Sequence, residues 1–199
     1  MLPATLIQFD DRLPAAIEER AAAEARHGAH YAEFGTEEAV DALRVAAENA
    51  LTDWAARTGC EAVVLRVPGI YGPGRLGIER IREQSPIVRD EDVGPGNRIH
   101  VDDLAACCAA ALDDATPPGI YNVGEGDHRT SAAFTKEVAR QLDLPPPPEI
   151  TMAEAEQRFS PMRLSFLKDQ RRVDTTKMRN VLGVVPKYSN PADGIAASL

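Results

Sequence analysis

The chain is short of cysteine, of aromatics and of positive charge, and these shortages narrow what it can do. Three cysteines in 199 residues, two of them adjacent at Cys107 and Cys108, do not frame a disulfide-stapled fold. Buried reduced thiols in a cytoplasmic protein are the expectation instead. Lys and Arg number 22 against 31 Asp and Glu, a formal charge of −9. The basic stripe that duplex phosphates require is therefore missing, and an anionic membrane surface is an equally poor partner. No apolar run approaches the roughly 20 residues of a spanning helix. The opening MLPATLIQFDDR carries no basic stretch of the kind that begins a secretory leader. His27, His30 and His128 lack convergent ligand spacing, so no metal site is expected.

What remains is ordinary globular composition, 44% hydrophobic and 27% charged. A chain of this length buries roughly 70% of its unfolded surface, which suits one domain or one domain with a small appendage. From Asp10 to about Arg57 it is rich in alanine and glutamate and reads as helix, broken near Gly28 and Gly35. Thr36 with Glu37 and Glu38 behind it looks like a helix start. Ala39, Leu43, Ala46, Ala47, Ala50, Leu51 and Trp54 give that helix an apolar face, and Gly59 ends it.

Beyond Gly59 strands and helices alternate. Glu61–Val67 is a continuous β-branched run of the kind buried on both faces. Pro68–Arg75, with three glycines and two prolines, reads as loop, and Leu76–Gln84 as a helix. Asp90–Asn97 is again loop. Arg98–Val101 reads as a brief strand, followed by a helix to Leu112 capped by Asp102 or Asp103. Ile120–Val123 is another buried strand, and Thr130 or Ser131 caps a helix to about Leu142. Pro145–Pro148 is a stiff polyproline stretch, and the tail beyond it is basic in its middle with short helical patterns. This alternation predicts an α/β fold with a parallel sheet.

Gly72-Pro-Gly-Arg-Leu-Gly77 is a formal G-x-G-x-x-G, the pattern that lets backbone approach a pyrophosphate. Here Pro68–Tyr71 separates it from the strand, and Pro73 removes an amide donor, so the plain loop reading is preferred. His100 with Asp102 or Asp103 can be drawn as a base with its orienting carboxylate, but capping aspartates and a strand-end histidine explain them more simply. Tyr31 reads as a half-buried helical tyrosine and Cys60 as packing.

Four segments carry a resemblance. Residues 63–75, Val-Val-Leu-Arg-Val-Pro-Gly-Ile-Tyr-Gly-Pro-Gly-Arg, resemble the "LRxxxxYGPG" segment of extended short-chain dehydrogenase/reductases of the NAD-dependent epimerase/dehydratase kind. Arg98-Ile-His-Val-Asp-Asp-Leu-Ala105 is similar to their "IHVxDLA" segment, and Gly119-Ile-Tyr-Asn-Val-Gly124 to the "G-x-YNxG" strand that follows. Arg172–Gly183 is similar to the terminal "R-x-x-x-x-K-x-x-x-x-LG" element. The resemblance spans about residues 40–195 in the family's order and spacing.

The resemblance implies an architecture: a truncated Rossmann-like parallel sheet flanked by helices, with a small C-terminal cap subdomain. Residues 36–143 would form a partial Rossmann-like core and 144–199 a substrate or cap region. Residues 1–35 would be a helical segment whose place is open. It also implies a site. NAD or NADP would be approached by Arg44, Val67 and Pro68, and a substrate by Gly69, Tyr71, Arg98 and Arg172. The arginines suit a phosphate or carboxylate, and surface ion pairs explain them equally well. The family's Tyr-x-x-x-Lys pair is absent, with Val40 and Arg44 at its positions, so no catalytic residue is assigned. The glycine-rich pyrophosphate loop is absent too, and the 71 residues before Gly72 leave no room for the β–α units that carry it in the family. In the family the helix around 36–57 commonly packs into a dimer interface.

Two functions follow as expectations. One is an NAD(P)-dependent epimerase/dehydratase-like protein, degenerate or shortened, acting on an unknown substrate, nucleotide-sugar-like or otherwise anionic. The other is a non-catalytic remnant of that fold that binds a ligand or a partner.

Overall fold

The computed structural model describes residues 5–6 and 37–199; Tyr31, Thr36 and the helical reading of 10–35 lie outside them. Helix α1 (Glu37–Thr58) stops where Gly59 turns left-handed, φ +71°, and returns its N–H to the Ala55 carbonyl at 2.9 Å. Strand β2 (Val63–Arg66) follows, with Val63, Val64 and Leu65 all buried, as a strand covered on both faces requires. It pairs in parallel with β6 (Gly119–Asn122), placing Leu65 beside Tyr121. On its other edge β1 (Thr5–Leu6) pairs antiparallel, Thr5 opposite Val64, so β2 is the middle strand of three.

The stretch read as loop after β2 holds a further strand. β3 (Gly69–Tyr71) pairs in parallel with β5 (Arg98–His100), because the apolar Ile70 and Tyr71 have Ile99 and His100 to pack beside. Only then does the chain turn. Gly72 has φ +153°, and a Cβ there would meet Val101 Cγ1 at 2.6 Å. Gly74 and Gly77 are also left-handed, and Gly77 leads into the five-residue α2 (Ile78–Arg82). The three glycines of the G-x-G-x-x-G thus serve turns. A third parallel pair joins β4 (Ile87–Val88) to β7 (Glu149–Ile150).

Helix α3 (Val101–Ala111) corrects an expectation. Neither aspartate is its N-cap; His100 is, its Nδ1 accepting the Asp102 N–H at 3.1 Å. Asp103 is buried and faces the other way. It accepts the backbone N–H groups of Lys187 (2.7 Å) and Tyr188 (3.0 Å), fastening the C-terminal segment to α3. Helix α4 (Ser131–Gln141) is capped by Thr130 as expected, its Oγ1 accepting the Ala133 N–H at 3.0 Å.

The C-terminal stretch comprises α5 (Met152–Glu156), α6 (Pro161–Lys168), α7 (Thr176–Asn180) and α8 (Pro191–Ala196). It divides between clusters. Ala155, Leu164 and Leu167 pack with Val88 and Ile150 around the small β4–β7 ribbon. Met178 and Leu182 join the sheet core of Val63, Leu65, Ile99, Cys107 and Tyr121. Ile195 enters the cluster of Tyr71, Leu76, Phe134 and Val138. Burial pushes the Cys107 thiol up to about 12, so it packs as an inert hydrophobe. Among the described residues no helix is long and apolar enough to cross a membrane.

Asp103→Ala is expected to cost about 2–3 kcal/mol in urea unfolding, because the buried Tyr188 N–H and the half-buried Lys187 N–H lose their acceptor. Exposed Asp102→Ala, which leaves the His100 cap in place, is expected to cost under about 1 kcal/mol.

Candidate functional site

The β2–β6 and β3–β5 pairs bring their carboxyl ends toward one polar cluster, the edge where open α/β sheets place ligands. Tyr71 ends β3 and is 2% exposed; its hydroxyl donates to Glu125 Oε2 at 2.8 Å. Glu125 lies three residues beyond β6 and is 1% exposed. Its backbone is held from two sides, its N–H donating to Arg98 O (2.9 Å) and its carbonyl accepting from Arg179 Nη2 (3.0 Å). Oε1 is buried and has no hydrogen-bond partner. The Tyr71 ring stands edge-on to His100 and to Phe134, with 5.2 Å between centroids in each case. His100 presents Nε2 to Ser198 Oγ at 3.1 Å, and that hydroxyl donates onward to Gly194 O at 2.5 Å. With Nδ1 accepting the Asp102 N–H, the network assigns the Nε2 proton to the Ser198 contact.

Burial drives the electrostatics here. It raises the Glu125 carboxyl to about 7, against the opposing pull of the Tyr71 hydrogen bond and the Arg98 charge. Burial, followed by the Glu125 charge and hydrogen bond, pushes the Tyr71 phenol well above its ordinary range. Such a phenol stays protonated and cannot serve as a base near neutral pH. The Arg98 guanidinium lies 4.5 Å over the Phe134 ring and donates to Arg129 O at 2.9 Å. Burial lowers its pKa, while Glu125 and Asp127 pull it back up.

The other residues expected in the site are spread more widely. Arg44 is half-buried on α1, one turn before Glu48, which grips Arg66 at the end of β2 (2.8 and 2.5 Å). Val67 and Pro68 are half-buried between β2 and β3. Gly69 is exposed and donates its N–H to Asn97 O at 3.2 Å. Arg172 is exposed beside a strap in which Asn97 bonds Arg171 O and the Val173 N–H, each at 2.9 Å. Tyr71 is turned into the core, and a Cβ on Gly194 would collide with its hydroxyl. Sequence reasoning passed over Glu125, whose only signal is an acid between two glycines directly after a buried strand. It also gave the cap to the wrong residue beside His100.

Two cavities adjoin this framework. One, bordered by Pro68, Arg98, Gly124 and Thr175, measures about 10 Å³, room for roughly one water. A Cβ on Gly124 would already touch Thr175 Cγ2 at 3.3 Å. The second measures about 190 Å³ and lies between α2, β4, α4 and α6, shares no residue with the first, and is lined by Arg80, Ser85, Ser131, Thr135 and Arg163 among others.

A family model, the NAD dependent epimerase/dehydratase family, matches residues 21–124, just over half of the chain. The chain belongs to this family. No curated protein matches it. Among solved structures, a conserved protein of unknown function from Silicibacter pomeroyi is 30% identical over 68% of this chain and 47% of that one, with TM-score 0.60. A human epimerase family protein solved with NADPH is 20% identical over the same shares, TM-score 0.59. The dTDP-glucose 4,6-dehydratase of Bacillus anthracis, solved with NAD, is 16% identical over 78% and 48%, TM-score 0.59. The last two likenesses show a Rossmann-like fold alone, and the chain spans about half the length of each of these structures.

Set against the family's cofactor, the described residues around Pro68 leave little room for it. The space beside Pro68 admits a water but not a nicotinamide ring, and the sequence contains no G-x-x-G-x-x-G loop for the phosphates.

Because native Glu125 keeps its proton to about pH 7 and a free carboxyl releases it near 4.5, the native state binds more protons between those values. Stability therefore falls as pH rises across that window, by roughly 3 kcal/mol at 1.36 kcal/mol per pH unit. Glu125→Gln is expected to abolish this slope, matching the parent at pH 4.5 and exceeding it at pH 8 in urea unfolding.

Proposed function

We propose that this chain is a ligand-binding member of the epimerase/dehydratase family in which the cofactor side is degenerate and the substrate side is kept. One contrast carries the reading: about 10 Å³ beside Pro68 against about 190 Å³ between α2 and α6. The residue pattern supports it. Val40 stands where the family has its acid/base tyrosine, and valine transfers no proton. Arg44 stands for the lysine, and its planar, permanently charged group is no substitute for it. Pro147, Arg163 and Leu167 of the larger cavity belong to the 144–199 region read as the substrate side, whereas Gly69, Tyr71, Arg98 and Arg172 do not line it and Arg98 borders the smaller one.

The competing reading is a nicotinamide-dependent epimerase or dehydratase, with Val67 and Pro68 against the cofactor ring. The neighbours solved with NAD and NADPH favour it. Thermal unfolding of the full chain in millimolar NAD+, NADP+ and their reduced forms separates the two. No displacement of Tm is expected; a rise of several degrees would overturn the ligand-only reading, since a ligand of the native state must stabilise it.

A homodimer through helix α1 belongs to the same proposal. Val45 is 55% exposed there, and Ala46, Ala47 and Ala50 lie open around it. Light scattering of the full chain is expected to give a dimeric mass, and Val45→Glu a monomeric one.

A further inference from the structure

The 190 Å³ cavity has a chemistry of its own. Two of its lining residues are arginines, and no carboxylate lines it, although the chain carries nine more acids than bases. Arg163 is set by local rules: Ser160 caps α6, Pro161 opens it, and Arg163 follows in the first turn. Its guanidinium stacks 3.4 Å over the Phe159 ring and donates one N–H to Pro86 O at 3.3 Å. The remaining N–H groups of its fork make no hydrogen bond among the described residues. Desolvation, and then the like charge of Arg80, lower its pKa to about 10. Two cations held together in this way call for an anion between them. Arg80 has no carboxylate within ion-pair distance among the described residues. Ser85 and Ser131 bring hydroxyls that likewise make no hydrogen bond there. Asp90, whose carboxylate reaches the start of α4, is already held by Lys136 Nζ (2.7 Å), by Thr130 and by the Ala133 N–H (3.1 Å).

We propose that this cavity binds a phosphoryl group, with the Arg80 and Arg163 guanidiniums and the Ser85 and Ser131 hydroxyls as its donors. A tetrahedral dianion offers enough oxygens for two forks and two hydroxyls and balances two positive charges, whereas a carboxylate balances one. The size points to a small phosphorylated body, because the cavity falls below the ~300 Å³ at which sites for larger organic ligands begin. The inference deepens the proposed function by naming the class of ligand, and it rests on that reading for the idea that the substrate side is kept.

The test is isothermal titration of the full chain with inorganic phosphate at low ionic strength and pH 7, beside sodium acetate and sodium chloride at matched ionic strength. A saturable single-site isotherm with phosphate is expected, and none with acetate or chloride. Arg80→Ala, at an exposed position, is expected to weaken it at least tenfold, Arg163→Gln to abolish it, and Arg75→Ala, outside the cavity, to leave it unchanged. The absence of saturation, an equal response to acetate or chloride, or full affinity in Arg80→Ala would each overturn the site. The nicotinamide measurement fails independently: a Tm rise with NAD+ sinks the ligand-only reading and leaves the phosphate isotherm as it is.

Discussion

A buried hydrogen bond from Tyr71 to Glu125 joins two sheets that share no ladder. Tyr71 belongs to the β3–β5 pair and Glu125 follows the β2–β6 pair. The backbone N–H of Glu125 then reaches Arg98 O, so the two pairs are tied through side chain and main chain at one residue. An ionised carboxylate in such a place is costly, and the structure meets that by favouring the protonated acid rather than by adding a cation. Arg98 is near enough to act on Glu125 but is held away by Phe134 and Arg129 O. Everything packed around the phenol, including Gly194 of the last helix, is shaped by having it there.

This constraint bears on function. With Tyr71 engaged inside, and with Arg98 laid over Phe134, the cavity bordered by Pro68 measures only about 10 Å³. A cavity of about 190 Å³ lies beside the small β4–β7 ribbon, where α2, α4 and α6 meet. An acidic protein that keeps two arginines and two unengaged hydroxyls around one cavity has built a local positive potential against its overall charge, which is how a small anion is concentrated and held.

Much of the fold was legible. Val63–Leu65 announced a buried strand because only a strand covered on both faces tolerates such a run, and Gly59 and Thr130 marked helix boundaries through conformations and side-chain acceptors that any local context would require. Loop and strand were harder to separate at Gly69–Tyr71. Glycine and proline density describes chain flexibility, whereas this strand exists because β5 lies beside it. The same limit applies to Asp103, which has the look of a cap until the distant Lys187 and Tyr188 amides are seen to claim it.

By itself the sequence determined the family, the α/β alternation and the strands that begin at Val63, Arg98 and Gly119. These depend on residue type, spacing and short-range backbone preference. Only the tertiary structure decided that Tyr71 points inward, that Glu125 is the buried acid, that His100 rather than an aspartate caps its helix, and that Arg80 and Arg163, 83 positions apart by their numbers, line one cavity. Burial, and the pKa displacement that follows from it, are properties of what surrounds a group in space. Neighbours supplied from 50 to 100 residues away leave no mark in the local pattern.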